Sequence, residues 1–304
     1  MQRARLRIGV SFTLVALAAP AADDCPTLVD RARKAFESRQ FEAAITEFGR
    51  AVTVCPQARP LLLPLAQAQL MAQRLPDAIR TLEELLQLDP VNLEALKLRG
   101  DALYLAGQEQ EAERSLQAAL AIDGSHQPSL YALGRIYYQQ NRFPEAVERF
   151  RAVVGLDPKA HRAYDNLALC YEALHQDKEA LQHFLKALDL VHKDHPGYDT
   201  VYADFANFLL NRNEYEKAFQ FAAEAAKRNP AAARNFFLTG KALVRLGKHE
   251  LSLRWLEQAN RLDASYPEAR YLMAQTYRRL GREKEADEQL AKFRELNRNP
   301  RARR

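Results

Sequence analysis

The sequence has 304 residues, a formal net charge of +5 and a pI near 9.0. Seven of its 44 basic residues sit at the ends: Arg3, Arg5 and Arg7 at one, Arg298, Arg301, Arg303 and Arg304 at the other. The body between them keeps 37 basic residues against 39 acidic ones. The basic pI is therefore a property of the ends, and a nearly neutral body argues against a nucleic-acid-binding surface.

Residues 1–22 combine a positive start (Arg3, Arg5, Arg7), an apolar stretch from Ile8 to Ala19 and small residues Ala19 and Ala21 around Pro20. That order is expected of a cleaved secretory signal peptide. The apolar stretch is shorter than the roughly 20 residues that a spanning helix needs, so no membrane span is expected. Asp23 and Asp24 precede Cys25 where a lipid-attachment site would need small or apolar residues. The rest of the chain, 23–300, is expected to be one repeat array, followed by a basic tail at 301–304.

The array is written in its spacing. Pro56, Pro90 and Pro158 are separated by 34 residues and by twice 34, and Asp-Pro or Asn-Pro pairs recur at 89–90, 157–158, 229–230 and 299–300. A 34-residue frame from Cys25 gives eight units, starting near 25, 59, 93, 127, 161, 199, 233 and 267. A four-residue insertion, His195–Tyr198, precedes the sixth. The eighth place of every unit is Ala or Gly (Ala32, Ala66, Gly100, Gly134, Ala168, Ala206, Gly240, Ala274). The twentieth is Ala or Ser (Ala44, Ala78, Ala112, Ala146, Ala180, Ala218, Ser252, Ala286). Antiparallel helices approach closely only where neither carries bulk at the crossing. Apolar residues recur around these points at helical spacing, as with Leu130, Leu133 and Tyr137, then Val147, Phe150 and Val153. Turn formers such as Gly107, Asn141, Gly247 and Gly281 separate the two helices of a unit.

These positions resemble the tetratricopeptide repeat. The large twenty-fourth residue (Phe48, Leu82, Leu116, Phe150, Phe184, Leu256, Leu290) and the closing proline fit it as well, over residues 25–300. The resemblance implies an all-α fold, a right-handed α-solenoid of eight antiparallel helix pairs. Departures are Ala222 at the bulky place of the sixth unit, and Gly124, His192 and Ala264 in place of proline. Irregular stacking is expected around the sixth unit.

A terminal repeat lacks a neighbour on one side. Cys25 opens the first helix of the first unit and Cys55 closes its second, so an antiparallel hairpin sets them side by side. A Cys25–Cys55 disulfide is expected, open to an exported protein and stabilising by roughly 3–4 kcal/mol on the chain-entropy view. Cys170 reads as a small buried hydrophobe, and the charged last helix as its own cap.

In the family, the first helices of the repeats line the binding surface. Carried over, this implies a partner groove of Tyr104, Tyr131, Arg135, Tyr138, Arg162, Asn207, Arg234, Phe237, Lys241, Arg245, Tyr271 and Arg278, with Asp165, Glu172, Asn211, Gln275 and Arg279 beside them. The seventh and eighth units contribute five of these cations against one acid, Glu268, and are expected to favour acidic segments or a free carboxylate. Chaperone-binding members hold a carboxylate between lysine, asparagine and arginine at fixed places. Here Arg135 and Asn166 echo that set, but Asp204 and Thr200 occupy two of its cationic places, and chaperone-tail binding is not expected.

His192 and His195 are read as polar loop residues around an insertion rather than as metal ligands. No phosphate loop, nucleophile elbow or paired-histidine motif occurs, and repeats use the whole mature length. The expectation is a non-catalytic scaffold or adaptor of the cell envelope, periplasmic or secreted. It needs no cofactor and no metal, and binds other proteins or peptides, acidic segments among them. The alternative is an accessory subunit of a pilus, secretion or polysaccharide-export complex that captures substrate for an enzyme elsewhere. The oligomeric state is not legible.

Overall fold

The computed structural model describes residues 24–195 and 197–298. The expected signal segment and basic tail lie outside the described residues. The chain divides into two compact units, Met1–Gln108 and Glu109–Arg304.

The first unit holds α1 (Cys25–Glu37), α2 (Phe41–Val54), α3 (Arg59–Met71), α4 (Leu75–Leu88) and α5 (Leu93–Leu105). Asp24 caps α1 by accepting the Thr27 N–H at 3.0 Å, and Asn92 caps α5 through the Ala95 N–H, which satisfies amides with no helical partner. Ala32 and Ala44, both fully buried, let α1 and α2 close over Phe48, with Leu65 and Ala68 of α3 packed beneath. A second cluster joins Leu62, Ala66, Leu82 and Leu85 to Ala95 and Leu98. Cys25 and Cys55 form a disulfide across a sequence separation of 30, beside buried Leu28 and Ala51. The bond ties the start of α1 to the end of α2.

The second unit holds α6 (Glu109–Ile122), α7 (Gln127–Gln139), α8 (Phe143–Leu156), α9 (His161–Ala173), α10 (Asp177–Asp194), α11 (Thr200–Asn211), α12 (Tyr215–Arg228), α13 (Ala233–Arg245), α14 (His249–Leu262), α15 (Pro267–Arg279) and α16 (Glu283–Arg298). Each small pair again marks a close crossing. A Cβ added at Gly134 would stand 2.8 Å from the Phe150 ring, and one at Gly240 would stand 2.7 Å from Leu256. α16 buries only Ala286 among its described residues.

All eight hairpin turns among the described residues share one geometry. The fifteenth residue of each unit has φ between 57° and 77°: Arg39, Gln73, Gly107, Asn141, His175, Asn213, Gly247 and Gly281. The next N–H then donates back to the carbonyl five residues earlier, as in Gln40 to Ala35, Arg142 to Tyr137 and Arg282 to Tyr277. This is the Schellman closure of a helix end.

Around the sixth unit the structure departs from the expected loop. α10 has 18 residues where α8 and α12 have 14. The four extra residues are taken up as roughly one more helical turn, so His192 lies on a helix and only His195 follows as its C-cap. α11 begins at Thr200, one residue after the start that the 34-residue frame sets. The small Ala222 is accommodated by its neighbour Phe221, whose ring meets Phe205 edge-on at 4.7 Å, while Phe184 packs on Phe205 and Phe208. Aromatic volume from adjacent places fills what the twenty-fourth place leaves empty.

Candidate functional site

Within the second unit three groups of side chains stand out. The first is a cleft of about 560 Å³ formed by α13, α15 and α16. It brings together Phe237, Lys241, Arg245 and Tyr271 of the expected set, with Arg279 and Gln275 beside them. α13 sets Phe237, Lys241 and Arg245 on one side by their spacing of four. Phe237 stacks at a tilt on Tyr266, 5.1 Å between centroids. Tyr271, 45% exposed, leans on Phe293 of α16 at 5.2 Å. Phe293 is a site residue that the repeat pattern does not mark, because it lies on a second helix. Its signal is that it is the one aromatic in an otherwise charged segment.

Charge in this cleft is unbalanced. Lys241 is half-buried, and burial, then the positive charge of Arg245, pushes its ammonium below the ordinary lysine value. Among the described residues, Lys241, Arg245 and Arg279 form no salt bridge; the acid in the lining is the exposed Glu268. A half-buried cation without a counter-ion is an unfavourable state that an incoming carboxylate relieves.

The other two cations expected here are already compensated. Arg278 pairs with Asp287 at 3.4 Å and Glu283 at 3.8 Å on α16. Arg234 donates to Asp204 of α11. Neither lines the cleft. Of the five cations expected in the last two units, Arg234 and Arg278 are thus paired with acids, while Lys241, Arg245 and Arg279 line the cleft.

The second group is a buried carboxyl pair. Asp165 on α9 is 2% exposed and not a solvent-facing groove residue. Burial, then the adjacent Asp204 charge, raises its carboxyl well above the ordinary carboxylate range. Asp204 is raised by burial against the opposing pull of Arg234. Like charges this close in a dry site disfavour ionising both, which favours the protonated form of Asp165.

The third group is a cleft of about 450 Å³ at the start of α9, where Tyr131 and Arg162 meet His161 and His195. Tyr131 packs edge-on against Phe150 and its hydroxyl accepts from Asn166. Arg162 lies over the Tyr198 ring at 5.7 Å.

The remaining expected residues are not gathered in either cleft. Tyr138 is half-buried against Phe143, Arg135 is exposed on α7, and Asn207 is half-buried on α11. Tyr104, half-buried on α5, belongs to the first unit. Glu172 is engaged by Asn211 and Arg212. Among the described residues no cluster of three or more metal-ligating side chains occurs, and no helix is long and apolar enough to cross a membrane. Cys170 is buried, which pushes its thiol up to about 12.

Tetratricopeptide-repeat family models match residues 63–126, 131–198 and 267–300, together more than half of the chain. A comparison with curated proteins finds no match. Among solved structures the chain is similar to a tetratricopeptide repeat protein from Parabacteroides merdae, at 17% identity and TM-score 0.68, covering 83% of this chain and 98% of that one. It is also similar to Pseudomonas aeruginosa pilF, at 23% and 0.60, covering 72% and 98%, and to MamA, at 27% and 0.51, covering 56% and 92%. The two likenesses below 25% identity carry the fold alone. With sixteen described helices and small-residue crossings within each unit, the chain belongs to the tetratricopeptide-repeat family, an all-α repeat solenoid.

Proposed function

We propose that this protein is a non-catalytic interaction scaffold of the cell envelope, and that the cleft of α13, α15 and α16 seats an acidic segment of a partner protein. Tetratricopeptide repeats generally mediate protein–protein interaction. The observation that carries the finer reading is Lys241, a half-buried ammonium with no acidic partner among the described residues, flanked by Arg245 and Arg279. Phe237, Tyr271 and Phe293 offer apolar surface alongside. The partner segment therefore needs carboxylates to meet the cations and an apolar side chain to cover the rings. An envelope location is supported by the signal-like segment 1–22 and by the Cys25–Cys55 disulfide, a bond that persists in oxidising compartments.

The test is direct binding of a labelled Glu- and Asp-rich peptide containing Phe, compared with its Lys- and Arg-substituted counterpart. The acidic peptide binds and the basic one does not. Equal binding of both, or of neither, removes the assignment. Export is tested separately, by fractionating cells that express the full chain: the protein is recovered outside the cytoplasm, shortened at its N-terminus.

A further inference from the structure

The cleft at the start of α9 is unlike the acidic-segment cleft and is used by nothing above. Its volume of about 450 Å³ lies in the range of small-molecule sites. Four basic side chains from two stretches of chain line it: Lys159 before α9 with His161 and Arg162 on its first turn, and His195 after the extended α10. The imidazoles of His161 and His195 lie 4.2 Å apart between centroids, with Tyr198 edge-on to His161 at 4.9 Å. The acid in the lining is Asp157, one of whose carboxylate oxygens accepts the Lys159 backbone N–H at 2.8 Å. Ala160 starts α9 without a side-chain cap, so the positive end of the helix dipole adds to the same field. Tyr131 and Pro128 form an apolar wall opposite.

We propose that this cleft binds a small molecule carrying a phosphate monoester, with Lys159, His161, Arg162 and His195 around the phosphate and Tyr131 and Pro128 against the remainder. The cavity is larger than a bare ion fills, which argues for an ester rather than inorganic phosphate. Two imidazoles in contact repel once both are protonated, and a dianion between them removes that penalty. Burial, then His195 and Arg162, pushes His161 below the ordinary histidine value, while Asp157 pulls the other way. The ligand reverses the downward shift.

The other groups facing the site are Tyr131 and Arg135 of α7, Tyr198, and Arg162 and Asp165 of α9. Tyr131 and Tyr198 are raised by burial, and Asp165 by burial and then by the Asp204 charge. Proton uptake by His161, which a bound dianion favours, strengthens binding as the pH falls from 8 to 6.

The test uses the full chain at constant ionic strength, with phenyl phosphate, inorganic phosphate and benzoate as probes, read by calorimetry and by NMR titration of the histidine rings. Phenyl phosphate saturates, binds more tightly than the other two and more tightly at pH 6 than at pH 8, raises the titration point of His161 and shifts the ring resonances of His195. Lys159→Ala and Arg162→Ala, both at surface positions, each weaken it roughly tenfold, the worth of one charge-assisted hydrogen bond. Lys241→Glu leaves it unchanged, which separates this site from the acidic-segment cleft. Absence of saturation, indifference to both substitutions, inorganic phosphate binding as well as the ester, or zinc rather than phosphate shifting the histidines would each overturn the proposal.

Discussion

Arg234 on α13 donates its guanidinium to the carboxylate of Asp204 on α11, and the Asp204 charge in turn raises the buried carboxyl of Asp165 on α9. Three successive first helices thus contribute to one electrostatically coupled group. Arg234 is half exposed and Asp204 is not, so removing the arginine strands a mostly buried charge. Arg234→Ala is expected to lower unfolding stability by about 1–2 kcal/mol, reduced from the fully buried case by solvent at the arginine. Arg278→Ala, whose pairs are exposed at both ends, is expected to cost under about 1 kcal/mol. Urea denaturation of the two variants makes the comparison.

The same pair gives stability a pH dependence. Asp165 is raised when folded, so the folded chain keeps a proton that the unfolded chain loses above the ordinary carboxylate value of 3.8. This contribution is present in full below that value and is given up as the pH rises towards the raised one. Asp165→Asn keeps a donor for Asp204 and removes the titration. Its stability relative to the parent is expected to grow as the pH rises from 4 to 8. A difference that stays constant across that range would show that Asp165 does not hold the proton.

The shared turn geometry makes a further expectation local. His175 adopts φ 57°, where Gly107, Gly247 and Gly281 stand in sister repeats. A side chain there costs roughly 1–2 kcal/mol against the right-handed conformation, and glycine recovers part of it at an entropic cost in the unfolded chain. His175→Gly is expected to stabilise by about 0.5–1 kcal/mol, and Gly247→Ala to destabilise by a similar amount, both by thermal unfolding.

Reduction acts at one end. With Cys25→Ser and Cys55→Ser together, the first hairpin loses its tie and stability falls by roughly 3 kcal/mol. Because repeats are held by their neighbours alone, hydrogen exchange should accelerate first in α1 and α2, with α13–α15 unchanged. Uniform acceleration along the chain would contradict a local role.

The repeat frame was legible because its physics is local and periodic: tiny residues at crossings, bulk four places later, a breaker at each end. The turn place was legible at Gly107 and Asn141 and hidden at Arg39, Gln73 and His175, where the Schellman closure overrides residue preference. Four groove residues, Phe237, Lys241, Arg245 and Tyr271, fall into one cleft because their register on α13 and α15 is set by the same period. Charge compensation was not legible. Arg234 and Asp204 are 30 residues apart, and a frame that places both on inner faces does not say that they touch. His195 reached α9 only because the insertion became an extra turn of α10 rather than a loop, a choice that four residues of sequence leave open.

The central claim is that Lys241 and Arg279, free of acidic partners among the described residues, hold an acidic segment. Fluorescence anisotropy of a labelled Glu- and Asp-rich, Phe-containing peptide measures it, for the parent and for Lys241→Glu with Arg279→Glu. Binding that weakens with added salt and drops at least a hundredfold in the double variant, with thermal stability kept, is the expected result. Unchanged affinity in the folded double variant would contradict it.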